Sequence, residues 1–212
     1  MRRLLALLLL GGTIVVLGAG AMHPMLQGTG EDQLQLIADT HAWRGIHLVL
    51  LLGTACIIIG LRVLLSRYAA SPRAETIRLA LPVVSLGLAV HALNIMYMTS
   101  AGTEMARLYA AGTPGVVLLY DTTHPFALMT SRFGNLLVAA GAMFIGWASW
   151  GPGPDPKWVS ALAWLAGVVG LAGALIGPES SPTILLAVGL LCFWQAGVAI
   201  LDLREQGIAR SQ

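Results

Sequence analysis

The chain has 212 residues, of which 57% are hydrophobic and only 10% charged, and its mean hydropathy is +0.78. A soluble domain carries about 25% charged residues, so this chain has too little polar surface to face water on all sides, and lipid is the solvent its composition suits. The formal net charge of +2, without a basic run or an aromatic stacking pattern, excludes nucleic acid as a partner.

A helix needs about 20 apolar residues to cross the hydrocarbon layer, and backbone amides cannot stay unpaired in lipid. Six runs meet that requirement, at 4–22, 43–65, 77–100, 126–150, 158–177 and 182–203. The expected fold is an all-α, polytopic transmembrane bundle of six spans in one domain, 1–212, with both termini inside.

The first span opens on Met1-Arg2-Arg3 and stops at His23-Pro24. With Ala19-Gly20-Ala21 it has the outline of a secretory signal, but its apolar run exceeds the usual 7–15 residues, so a retained helix is expected. Segment 23–42 follows as an outer loop. The second span begins with Arg44 and His47, and Cys56 lies in its middle. Across the inner link 66–76, the third span carries His91 and Asn94. The outer segment 101–125 is expected to hold a short interfacial helix after Thr103, with Met105, Leu108 and Tyr109 on one side. A Gly112-Thr113-Pro114-Gly115 turn then leads into 116–120. The fourth span carries Arg132 and Asn135 and ends before Gly151-Pro152-Gly153-Pro154. The fifth carries Gly167, Gly170, Gly173 and Gly177, a spacing that lets helix backbones approach closely; internal packing is favoured over a dimer seam. The sixth holds Cys192, and Asp202 at its inner end, within reach of water. Both cysteines read as small core hydrophobes, because a thiol in hydrocarbon is a poor nucleophile.

Charge sets the orientation. With the N-terminus inside, Arg2, Arg3, Arg62, Arg67, Arg73, Arg78, Lys157, Arg204 and Arg210 lie on the cytoplasmic side, against Arg44, Arg107 and Arg132 outside. Trp147, Trp150 and Trp158 then fall at the inner interface and Trp43 at the outer one. The expectation is a multi-pass membrane protein with both termini on the cytoplasmic side.

Ionisable residues inside a span are costly, so each is a functional candidate. Arg44 and His47, His91 and Asn94, and Arg132 and Asn135 are each spaced i, i+3 and share a helix face. At 1.5 Å per residue they lie from about 2 to about 13 Å below the outer edge of the bilayer. His41, Glu104 and His124 stand at the rim. The inner half offers no comparable cluster. Two guanidiniums and one or two imidazoles opening outward suit an anionic small molecule, or a lipid or quinone head group. The same groups could instead tie the loops down, by snorkelling or by pairing with Asp39, Glu104 or Asp121.

Other chemistry finds less support. Haem b needs two histidines at similar depth, and His47 and His91 differ by about 7 Å. No cofactor is therefore expected, with haem b the alternative. Met22-His23-Pro24-Met25 with Met96, Met98 and Met105 offers soft donors for Cu(I), although methionine is an ordinary filler of apolar helices, and no metal site is expected. No Gly-x-Ser-x-Gly or His-Glu-x-x-His setting occurs, and a non-enzymatic role is expected. The run His41-Ala42-Trp43-Arg44-Gly45-Ile46-His47 entering a helix, Arg132-Phe133-Gly134-Asn135 in the fourth span and the closing pair of glycine-containing spans resemble small bacterial six-helix membrane proteins of uncharacterised function. That resemblance implies a fold and a location only. The second functional expectation is an accessory subunit of a larger membrane complex, such as a respiratory or photosynthetic one, with other membrane subunits as partners; the third is a haem- or quinone-linked redox protein.

Overall fold

The computed structural model describes residues 1–151, 153–177 and 182–208, and all regular structure among them is helical. The helices are α1 (Arg2–Met22), α2 (Gly30–Asp39), α3 (Trp43–Gly60), α4 (Val63–Arg67), α5 (Ala74–Tyr97), α6 (Thr103–Ala110), α7 (Val116–Ser149), α8 (Lys157–Ile176) and α9 (Pro182–Ile208). A π turn, Met98–Gly102, joins α5 to α6. Six stretches are long and apolar enough to cross a membrane: α1, α3 with α4, α5 through α6, α7, α8 and α9. The chain is an all-α bundle of six spans.

The spans close into a ring. Each packs on the next in chain order, and α9 returns to pack on α1. Two glycine crossings draw the ring tight. A Cβ on Gly12 would stand 2.7 Å from Gly53 O, which brings α1 against α3. A Cβ on Gly134 would stand 2.7 Å from Gly87 O, which brings α7 against α5 one turn from His91 and Ser131. The glycines of α8 are spent in the same way. Gly167 faces Ala139 and Met143 of α7, and Gly173 faces Thr183 and Ile184 of α9.

One end of the ring is capped. Between α1 and α3 the chain does not form a plain loop, because Thr29 and Asp32 build a capping box that starts α2. Leu34 and Ile37 of α2 then pack on Trp43, Met98, Met105 and Tyr120. Segment 101–125 is not a loop of that length either. The interfacial helix expected after Thr103 is present as α6, but it continues α5 through the π turn. The fourth span begins at Val116, ten residues before the expected start, and runs through Pro125. Proline costs a helix one hydrogen bond, and burial of Tyr120 and Val116 in the cap holds the turn before it. Trp43, expected at the outer interface, is only 2% exposed and belongs to the cap's core.

The other end, where Arg2 and α9 meet, corrects the expectation that the inner half holds no polar cluster. The Arg67 side chain is fully buried and its Nη2 lies 2.6 Å from Asp155 Oδ1. Its Nη1 donates to Asp202 Oδ1 at 3.2 Å and to Glu205 Oε2 at 3.0 Å. Arg2 pairs with the same Asp202 and Glu205, and Tyr68 Oη donates to Asp155 Oδ2 at 2.8 Å. Burial, reinforced by the Asp155 carboxylate, pushes the Tyr68 hydroxyl far above its ordinary pKa, so it stays a donor. Asp202 is therefore enclosed, at 0% exposure, and not within reach of water. The network ties α1, α4, α9 and the turn before α8 together.

Candidate functional site

Inside the ring, toward the capped end, lies a cavity of about 460 Å³. A second hollow of about 340 Å³ lies between it and the cap, and both are lined by His23, Met25, His47, Asn94 and Leu185. The walls change character with depth. His23, His47, His91, Asn94 and Asn135 supply the polar part, while Leu50, Ile57, Leu88, Val138 and Leu191 form the apolar part.

The imidazoles are held in defined states. His47 Nδ1 lies 2.8 Å from Trp43 O, one turn back on α3. A carbonyl can only accept, so Nδ1 carries the hydrogen and the neutral ring presents a bare Nε2. That Nε2 lies 3.1 Å from His23 Nε2, which must then donate. The indole of Trp43 packs on both rings, with centroids 4.4 Å from His47 and 4.9 Å from His23. Its Nε1 donates to Met98 O at 3.2 Å, which fixes the ring to the π turn. Burial lowers the pKa of His23 below the ordinary 6.5, so its ring is neutral at physiological pH.

His91 reaches the cavity from α5, and its Nδ1 lies 3.1 Å from Ser131 Oγ across the Gly87–Gly134 crossing. Asn94, one turn further along α5, is different. Its Oδ1 is buried in the wall and has no hydrogen-bond partner. At the far end of the cavity the Gln195 side chain lies 3.1 Å from Thr13 Oγ1, which also bonds Leu9 O at 2.7 Å. The Thr13 hydrogen serves the carbonyl. With the Gln195 amide turned so that Nε2 faces Thr13, both contacts are satisfied.

Of the residues expected at the site, His47, His91, Asn94 and Asn135 line this one cavity, and the two arginines do not. Arg44 is exposed. Arg132 Nη2 donates to Gly177 O at 2.8 Å and so binds the last carbonyl turn of α8, where a cation is favoured by the helix dipole. At the rim, His124 is buried in the wall of the smaller hollow, stacked on Tyr120 at 4.5 Å. His41 is exposed, and Glu104 is taken up by Arg107, with Nη2 to Oε1 at 2.6 Å. Three residues of the wall lay outside the expected pocket: His23 and Met25, read in sequence as soft donors for Cu(I), and Gln195, which sits in an apolar run. An uncharged polar side chain beside or within a span is the signal common to His23 and Gln195.

No protein-family model matches the chain, and neither a curated protein nor a solved structure is significantly similar to it.

Proposed function

We propose that this membrane protein binds an uncharged amphiphile with a carbonyl or hydroxyl head group, of the quinone and quinol class, inside its helical ring. The observation that carries the reading is Asn94 Oδ1, a buried acceptor without a partner in the wall of a cavity. A buried polar atom left unsatisfied costs about 1–3 kcal/mol, and a ligand that brings a hydrogen to it recovers that cost. A carboxamide offers both an acceptor and a donor. A quinol hydroxyl can donate to its oxygen, and a quinone carbonyl can accept from its nitrogen. The apolar wall below takes the beginning of a tail.

An anionic ligand fits the cavity less well. Among the described residues no Arg or Lys lines either hollow, and an anion brought there would lie in a low-dielectric space without a counter-charge. The accessory-subunit reading loses one support, because the glycines of α8 pack inside the ring. The setting we propose is a bacterial cytoplasmic membrane, and the basic residues at the opposite end support an orientation with the capped end outward. The exposed Trp147, Trp150 and Trp158 at the opposite end supply an interfacial belt consistent with it.

Titration of the purified full chain in nanodiscs with decyl-ubiquinone tests this. One saturable site is expected. Asn94→Leu should weaken it at least ten-fold, while Arg44→Ala leaves it unchanged. Uptake that rises linearly with lipid content, or equal affinity in Asn94→Leu, would overturn the reading.

A further inference from the structure

The mouth of the cavity carries a second constellation that the amphiphile does not use. We propose that His23 and His47 form a site for a soft monovalent metal ion, Cu(I) or its redox-inert analogue Ag(I), with the thioethers of Met25 and Met98 completing the ligand set.

The geometry begins with the two Nε2 atoms, which face one another at 3.1 Å. Metal–imidazole bonds are about 2.0 Å long, so two of them at a trigonal angle set their nitrogens about 3.5 Å apart. Opening the present contact by a few tenths of an ångström is enough to admit an ion. His47 is already oriented as a ligand: its Nδ1 hydrogen is held by Trp43 O, which leaves Nε2 bare and aimed at the site. Such an outer hydrogen bond is the usual device that fixes the tautomer of a metal-binding histidine. Occupation requires the His23 hydrogen to move from Nε2 to Nδ1. This is a change of tautomer within a neutral ring, with no net release of a proton.

The donor set decides which ion. Met25 and Met98 line the same hollow as His23 and His47. Met22, Met96 and Met105 do not line it, whereas Met98 reaches it from the apolar core of the cap and Met25 from the chain after α1. No Asp or Glu lines the hollow, and although His124 also stands in its wall, among the described residues no three His, Cys, Asp or Glu are placed to hold one ion together. A doubly charged ion such as Zn(II) would lack both its usual four N, S or O ligands and a compensating carboxylate. A soft ion of single charge matches imidazole and thioether. The indole of Trp43, packed on both imidazoles, shields one side of the site from water.

Competition for Cu(I) between the full-length protein in detergent and the chromogenic chelator bicinchoninate tests the site, with no quinone present, so the outcome is separate from that of the amphiphile titration. One equivalent of Cu(I) should pass to the protein, and Ag(I) should displace it. His23→Gln and the fold-sparing Met25→Leu and Met98→Leu should each lower the affinity at least ten-fold, with thermal unfolding of the methionine variants unchanged. Failure of the protein to withdraw Cu(I), retention of full affinity in a Met25→Leu/Met98→Leu double variant, or tighter binding of Zn(II) than of Cu(I) would overturn the proposal.

Discussion

His47 and Arg44 stand three positions apart on α3, yet one is 3% exposed in the cavity wall and the other faces outward. Three residues turn a helix by about 300°, so such a pair straddles a stripe about 60° wide, and the rotation of the helix decides which member faces in. Burial of Trp43 and Ile46 turns α3 so that His47 is the inward one. This is why His47, His91, Asn94 and Asn135 were legible as members of the site and its two arginines were misassigned. A buried imidazole or carboxamide in a span has nowhere to go but inward, whereas a long guanidinium near a helix end has several exits. Arg67 misled in the opposite direction, because a basic residue at a span's end reads as an orientation signal although it is buried among three carboxylates. Arg67→Met should cost about 3–5 kcal/mol, as removal of one partner from a buried pair does, and unfolding in mixed micelles measures it. Adding Asp155→Leu should recover part of the loss, since one stranded carboxylate is then gone. His23 predicts a pH effect. Burial lowers its pKa below 6.5, so the opened state binds the proton more readily. Above 6.5 neither state is charged and stability is level; as pH falls below 6.5 the capped end loosens. The protection factors of segment 23–30, corrected for the intrinsic pH dependence of amide exchange, should therefore fall as pH is lowered from 7.5 to 5.5, and His23→Gln should flatten the response.

At the scale of elements, the six spans were legible because lipid leaves the backbone few alternatives. Their ends were less so. Gly112 and Gly115 take positive φ, at +71° and +77°, and mark the true turn between α6 and α7. The helices on either side extend to meet it because the cap buries Met105 on one and Tyr120 on the other. No apolar count reveals that support, since it comes from α2 across the ring. The start of α2 itself was written in Thr29-Gly30-Glu31-Asp32, a capping box followed by Leu34 and Ile37 on one face. The glycine crossings supply a test of the packing. Gly134→Val would drive a side chain into the backbone at Gly87 and His91. Overpacking of this kind costs about 1–3 kcal/mol, and here it should also spread α5 from α7 and weaken quinone binding. Gly18→Ala makes the contrast: nothing lies within 4 Å of that position, and the change should raise thermal stability slightly through helix propensity.

For the whole molecule, the polar groups are sorted by type toward two ends. Charged pairs fasten the end at which Arg2 meets α9, and neutral imidazoles and amides line the hollow toward the other. Rigidity and binding are thereby kept apart, and a substitution in the ion-pair network should change stability more than ligand affinity. The ring has one more consequence, which concerns the order in which the chain is made. Its closing contact joins the first span to the sixth, and the hydrogen bond from Arg2 to Glu205 bridges 203 positions. Until α9 has been synthesised, the cavity has an open side where Leu185, Val188, Leu191 and Gln195 will stand. A nascent chain of five spans therefore exposes His47, His91 and Asn94 to lipid through that gap. Synthesis and insertion of α9 is the step that creates the site, and a chain arrested before it presents the membrane's quality-control proteases with a polar seam.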